Sequence, residues 1–383
     1  ILVLVIPLEK RKWTRGVMSL ASGLGYLVGP ISAGALTEQV RGLWSCLSFQ
    51  AFIALFVLVS LHGRLQTPQQ LPNSLKGKIK NLGPFSTVLL VLFTNLSVAG
   101  LELGRWIDPR FYTLLVAAGL VVMLFILILL RSGPDPAIPT DTMSDRSMSF
   151  AFIFSTCMGG GAISMLYWIS FWVQGSGARS LKTGLGTLPL VIGMSVSSIP
   201  IGLLQHQIEH HPPWMMAAAI FMSVGAGLST TIDATTEIWS DKWFSCLLVF
   251  GLGIGCGIHM PGIVAHTAQD PADIANGIGL LQGTFSLGSG VVFAVGHAIF
   301  ASFVRRGILE ENIMSYMWER TRPNTAGPAE GDDRVFYEAL TKSLYVVVAL
   351  SCFAIIPALG AEWKRVGGKR EQLMLSFIRG ARR

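Results

Sequence analysis

Residues 25–36 read GYLVGPISAGAL and lie within an apolar run that extends from residue 17 to about residue 37. Three glycines and a proline in such a run need a physical reason, because glycine costs a helix about 1 kcal/mol relative to alanine and proline about 3 kcal/mol. A lipid environment supplies that reason. No hydrophobic force drives helices together in lipid, so they associate by close packing, which small residues permit.

The composition of the whole chain indicates the same environment. Of its 383 residues, 51% are hydrophobic and 13% are charged, whereas soluble domains carry about 25% charged residues. Apolar runs long enough to cross about 30 Å of hydrocarbon recur along the chain. They are 17–37, 43–62, 85–104, 111–131, 150–174, 184–204, 214–232, 243–264, 278–303 and 343–362. The sequence therefore predicts an all-α polytopic membrane protein with about ten transmembrane helices.

Basic residues predict how these helices are oriented. Ten spans place both termini on one side of the membrane, and the loops on that side hold 17 of the 29 Lys and Arg residues. Half of the remaining basic residues belong to the long segment 304–342, and long segments are poorly counted by the positive-inside rule. We therefore expect both termini to be cytoplasmic, with the protein in the plasma membrane or, alternatively, in the vacuolar membrane.

The small residues of the first run form one strip along the predicted helix. Gly25 and Gly29 are four residues apart, and Gly34 lies five residues further on. Pro30 removes a backbone hydrogen bond and bends the helix at that point. We therefore predict that Gly25, Gly29, Pro30 and Gly34 form a close, bent helix contact.

This pattern resembles the fifth-helix motif of antiporters in the major facilitator superfamily, with Ala33 in place of one glycine. The longer stretch PLEKRKWTRGVMSLASGLGYLVGP, residues 7–30, is similar to the fourteen-helix drug:proton antiporter branch, especially its fungal members. Two later stretches extend the resemblance over nearly the whole chain: YWISFWVQGSGARSLKTGLGTLPLVIG, residues 167–193, and HTAQDPADIANGIGLLQGTFSLGSG, residues 266–290. The family's Trp-Arg-Trp after the fifth helix is replaced here by RGLW, residues 41–44.

The resemblance implies a domain organisation in which the family's first four helices are missing. Residues 1–62 would be the remnant of the N-terminal transporter half, with two helices. Residues 63–131 would form a cytoplasmic linker and the central helix pair. Residues 148–363 would form the complete C-terminal six-helix half, and residues 364–383 a basic cytoplasmic tail. A missing N-terminal half or a partner chain is expected on this plan.

Polar side chains within apolar spans are the candidates for contact with a substrate, because a few hydrogen bonds and aromatic faces suffice to hold a drug-like molecule. The candidates are Gln282, His259, His297, Trp168 and Asn95. Each histidine could also be a neutral group hydrogen-bonded to a neighbouring helix. Trp168 could instead belong to an interfacial aromatic belt.

Other chemistry finds little support in the sequence. The chain has no phosphate-binding Gly-x-x-x-x-Gly-Lys-Ser/Thr motif, and the glycines of GLGIGCG, residues 251–257, follow no predicted strand. We expect no enzymatic activity, no cofactor, no metal and no nucleic-acid partner.

The resemblance implies export of a drug-like molecule, toxin or secondary metabolite by proton antiport with alternating access. The partners would then be a small-molecule substrate, protons and the lipid bilayer. A siderophore-type importer and a truncated, non-transporting membrane protein are the alternatives.

Overall fold

A computed structural model describes residues 11–37, 52, 55, 120, 145–204, 210–233, 236–269, 274–307 and 330–362. Every regular element within these residues is a helix, which confirms the predicted all-α class. The helices are α1 (Arg11–Thr37), α2 (Arg146–Gly175), α3 (Ser180–Gly186), α4 (Leu188–Leu204), α5 (Pro212–Ser229), α6 (Asp241–Gly257), α7 (Met260–Ala268), α8 (Ile274–Gly307), α9 (Glu330–Phe353) and α10 (Ile355–Gly360).

Several of these helices are long and apolar enough to cross a membrane. Five such spans occur among the described residues, and α3 together with α4 makes a sixth if this pair, bent by 42°, counts as one span. In two of the five, consecutive helices join across a short break: α6 with α7, and α9 with α10. The predicted runs 43–62, 85–104 and 111–131 lie outside the described residues, so the number ten stays a prediction.

The helices pack as two connected groups. In one group α6 lies between α4 and α5, and in the other α2 packs against α7, α8 and α9. Contacts of α5 with α9 and α10 join the two groups. Helix α1 packs against α3 and α4, so it lies beside the first group.

Glycines allow the closest of these contacts. A Cβ added to Gly159 of α2 would lie 2.7 Å from the carbonyl carbon of Phe285 in α8. A Cβ added to Gly288 of α8 would lie 2.8 Å from the Cα of Thr156 in α2. Each helix therefore presents a glycine to the backbone of the other, as expected where packing in lipid depends on close approach.

Serine hydroxyls add hydrogen bonds between helices. Ser155 of α2 donates to the carbonyl of Leu281 in α8 at 2.8 Å, and Ser195 of α4 donates to the carbonyl of Gly23 in α1 at 2.9 Å. Ser343 of α9 donates to Gly296 of α8 at 3.1 Å. Interhelical hydrogen bonds of this kind contribute about 0.6 kcal/mol each in membrane proteins, so they fix helix register more than they stabilise the bundle.

The sequence-based boundaries of the last span differ from the structure. The apolar run begins at residue 343, but α9 begins at Glu330 and carries the helix through the charged residues before the run. Hydropathy marks only the residues that suit hydrocarbon, whereas the backbone hydrogen bonds of a helix continue into polar surroundings. Residues 330–342 of the long segment are therefore helical.

Candidate functional site

A cavity of about 560 Å³ lies between α1 and the two helix groups, and its volume is typical of sites for drug-sized ligands. Its walls come from α1, α2, α4, the junction of α6 with α7, and α8. The lining residues are Gly25, Tyr26, Pro30, Ser155, Met158, Ala162, Ile163, Leu166, Leu190, Val191, Met194, Ile254, Ile258, His259, Pro261, Gly262, His266, Ile278, Leu281, Gln282 and Phe285.

The described walls of the cavity are mainly apolar and carry only a few neutral polar groups. Most lining side chains are aliphatic or aromatic, and none of the described lining residues is an Asp, Glu, Lys or Arg. Polar atoms come from a tyrosine, a serine, a glutamine and two histidines. The site therefore combines a large apolar surface with a few neutral groups that form hydrogen bonds, which is the usual composition of a small-molecule pocket.

His259 lies at a break in the span formed by α6 and α7. Helix α6 ends at Gly257 and α7 begins at Met260, so Ile258 and His259 lie between them. Pro261 occupies the first turn of α7, where its missing N–H costs no internal hydrogen bond. The break therefore lies just before Pro261. The Nε2 atom of His259 is buried and has no hydrogen-bond partner among the described residues.

Gln282 approaches the cavity from α8. This residue is exposed, and its backbone carbonyl accepts a hydrogen bond from the hydroxyl group of Ser286. Two of the sequence candidates, His259 and Gln282, thus line the same cavity from different helices. Their role in binding a substrate remains a proposal.

The other candidates lie elsewhere. Trp168 is 1% exposed and packs among aromatic rings, with centroids 5.1 Å from Tyr167 and 5.5 Å from Phe300. His297 lies on α8 with its ring 6.2 Å from that of Phe293, and neither Trp168 nor His297 is among the residues that line the cavity. Asn95 lies outside the described residues.

The residues of the glycine–proline motif lie on two surfaces of α1, one at the cavity and one against α3. Gly25 and Pro30 line the cavity, and no described atom lies within 4 Å of a Cβ added to Gly25 or Gly29. A Cβ added to Gly34 would lie 2.7 Å from the carbonyl oxygen of Ser180 in α3.

The glycine on the other side of this contact, Gly184, belongs to residues 167–193, a stretch that is also similar to the antiporter family. Gly184 of α3 faces the carbonyl of Pro30, so closely that no side chain would fit, and its added Cβ lies 3.6 Å from the Cα of Gly34. The backbone of α3 therefore lies directly against Gly34 and Pro30 in the structure. That Gly25, Gly29, Pro30 and Gly34 together form a helix-packing contact stays a prediction.

Three polar residues of the cavity were not singled out from the sequence. Tyr26 follows Gly25 directly within the motif, and His266 lies seven residues after His259, which is two helical turns. The spacing of the two histidines was a signal that could have found His266. Ser155 carried no such signal, because serine is common in transmembrane helices as a packing residue.

Another buried histidine, His211, directly precedes α5 and does not line the cavity. His211 is fully buried, and neither ring nitrogen has a hydrogen-bond partner among the described residues. Burial, together with the smaller effect of the neighbouring His210 and against the opposing effect of Asp145, lowers the pKa of His211 to about 4. No group of three or more potential metal ligands occurs in the described part of the chain.

Comparison with known proteins identifies relatives over almost the full sequence. The chain is 27% identical over 381 residues to the MFS-type efflux pump MFS1 of Arthroderma benhamiae, covering 95% of this chain and 70% of that protein. It is 29% identical over 380 residues to the rubrofusarin-specific efflux pump aurT of Gibberella zeae, covering 95% and 69%. It is 24% identical over 388 residues to the efflux pump aflT of Aspergillus parasiticus, covering 96% and 74%. No family model matches the chain. The similarity to MFS-type efflux pumps confirms the resemblance seen in the sequence.

Proposed function

We infer from this homology that the chain is an MFS-type efflux transporter, and we propose that it exports a small drug-like molecule, toxin or secondary metabolite. The observation that carries the proposal is the cavity of about 560 Å³ between α1 and the helices of the predicted C-terminal half. The relatives of the chain are efflux pumps, which agrees with transport rather than with enzymatic chemistry.

The position of the cavity suits transport by alternating access. In that mechanism two helix bundles rock about a central site, which opens to one side of the membrane at a time. Here α1 belongs to the predicted remnant 1–62, whereas α2 to α10 belong to the predicted half 148–363. We propose that the contact between Gly34, Pro30 and Gly184 is where these two parts meet, and that the cavity is the substrate site.

Exchange with protons would supply the energy for export. Histidine is the side chain whose charge changes most readily between pH 5 and pH 8, and both His259 and His266 line the cavity. The proposal is therefore a proton antiporter in the plasma membrane, with both termini cytoplasmic, in which at least one of these histidines takes part in proton exchange.

The test is an efflux assay in yeast cells from which the endogenous drug pumps have been deleted. Cells that express the full chain are loaded with a panel of neutral, anionic and cationic fluorescent compounds, and with rubrofusarin, because one relative is named for it. We expect faster loss of at least one compound than from cells with an empty vector. A protonophore should abolish the difference if export is coupled to protons.

Variants of the cavity connect the activity to the site. Gln282→Ala and His259→Ala should reduce export, whereas Tyr345→Phe, which changes an exposed ring outside the cavity lining, should not. Export that both cavity variants leave unchanged would remove the cavity from the proposal. Accumulation of a siderophore instead of loss of a drug would favour an importer, and no movement of any compound would favour a membrane protein that does not transport.

A further inference from the structure

We propose that the cavity selects uncharged, hydroxyl-bearing aromatic molecules and discriminates against organic cations, with His259 and Gln282 receiving the hydroxyl group. This inference rests on the proposed efflux function, because it names the substrate class of the same site. It follows from the charge of the walls, the unpaired ring nitrogen of His259 and the shape of the apolar side chains.

The absence of formal charge on the described walls is the first argument. A cation that leaves water for an apolar cavity loses several kcal/mol of hydration unless a carboxylate or other counter-charge replaces it. None of the described lining residues is acidic, and none is a Lys or Arg that could pair with an anion. The walls therefore favour a ligand without net charge.

The unpaired ring nitrogen of His259 is the second argument. Its Nε2 atom is buried and lacks a partner among the described residues, and Gln282, an exposed residue of the same lining, adds an amide group nearby. A buried polar atom without a hydrogen bond is costly, so a ligand that supplies the missing group gains affinity. A neutral histidine offers one acceptor nitrogen and glutamine one acceptor oxygen, and a hydroxyl group is the smallest donor that satisfies either.

The rings at the cavity are the third argument. Tyr26 of α1 and Phe285 of α8 both line it, while the remaining walls are mainly aliphatic. Aromatic side chains favour stacked or edge-to-face contact with another ring. A flat ring system that carries a hydroxyl group therefore fits both the walls and the two polar residues.

A matched set of probes tests the selection. The full chain is purified and reconstituted in lipid nanodiscs, and binding is measured by equilibrium dialysis of 2-naphthol, 2-methoxynaphthalene and 2-naphthyltrimethylammonium. These probes share one ring system and differ in having a hydroxyl donor, no donor, or a positive charge. We expect 2-naphthol to bind about 2- to 10-fold more tightly than the methyl ether, as one net hydrogen bond allows, and the cation to bind most weakly.

Variants identify the residue that accepts the hydrogen bond from the hydroxyl group of the ligand. His259→Leu should remove most of the preference for 2-naphthol, because Gln282 alone remains as an acceptor, and should leave the affinity for the methyl ether within 2-fold. His259→Gln retains an acceptor and should restore part of the preference. Tyr345→Phe is the control, because it removes a hydroxyl group from a half-exposed ring that does not line the cavity.

The inference would be wrong if the cation bound most tightly, if 2-naphthol and its methyl ether bound equally well, or if none of the three probes bound. It would also be wrong if His259→Leu lowered the affinities for 2-naphthol and for its methyl ether by the same factor. The efflux assay separates this outcome from failure of the proposed function. Export of cations alone would leave efflux intact and refute the selection, whereas export of no compound would refute both.

Discussion

Replacement of Gly34 by alanine should disturb the contact between α1 and α3 without changing any polar group. A Cβ at this position lies 2.7 Å from the carbonyl oxygen of Ser180 and 3.2 Å from the Cα of Leu181. Ordinary van der Waals contact of a Cβ begins at 3.4 Å, so the two helices must separate by about 0.7 Å. Both opposing atoms belong to the backbone, so no side chain can rotate to make room.

The expected cost follows from this overlap. Overpacking of a tight contact costs about 1–3 kcal/mol, and the higher helix propensity of alanine returns about 1 kcal/mol. Gly283→Ala is the matched control, because it lies inside helix α8, outside the glycine–proline motif, and no described atom comes within 4 Å of its added Cβ. The propensity gain is common to both variants, so the difference between them isolates the overpacking cost.

The measurement is the apparent melting temperature of the purified protein in detergent, combined with efflux in cells. We expect Gly283→Ala to melt at or above the temperature of the unchanged protein and Gly34→Ala to melt several degrees lower, at about 2–4 °C for each kcal/mol. Efflux should fall in Gly34→Ala as well, because displacement of α1 moves Tyr26 and Pro30 at the cavity wall. Equal melting temperatures for the two variants would refute the close contact between α1 and α3.

Three further predictions follow from buried polar groups. Trp243→Phe removes the donor that bonds the carbonyl of Gly186 at 3.0 Å, so it should lower stability by about 1–3 kcal/mol in a thermal melt; an unchanged melt would contradict this. Ser155→Ala removes a single hydrogen bond between α2 and α8 and should cost only about 0.6 kcal/mol; a loss above 2 kcal/mol would show that the bond does more than set register. His211 is uncharged when folded because its pKa is lowered to about 4, so the unfolded chain binds more protons below about pH 6.5 and stability falls as the pH falls. Linkage gives a loss of about 2 kcal/mol between pH 7 and pH 5, which His211→Asn should abolish in melts across that range.

The helices were predictable from the sequence where hydropathy and helix formation coincide. Each predicted run from 150 to 362 overlaps a helix along most of its length, because a segment in lipid must satisfy its backbone hydrogen bonds internally. Hydropathy could not show that α9 begins at Glu330, since charged residues outside the hydrocarbon continue a helix without an apolar signal. It also could not show that α3 and α4 bend by 42° at Thr187.

The candidate site was predictable only in part. Polar residues in apolar spans pointed to His259 and Gln282, which line the cavity, but equally to Trp168 and His297, which do not line it. The difference lies in which face of a helix meets which neighbour, and a single sequence does not specify the rotation of one helix against another. Tyr26 was missed for the same reason, although it lies in the motif that decided the fold.

The break at Ile258 and His259 has a consequence for engineering. Helix α6 packs against α4 and α5, and glycines such as Gly251 face the backbone of α4 there, whereas α7 packs against α2 and α8 and lines the cavity. This span thus has its tightest glycine contacts before the break and, apart from Ile254, its cavity-lining residues at or after the break. A library that randomises 258–266 should therefore alter substrate range while sparing the glycine contacts that hold the bundle together.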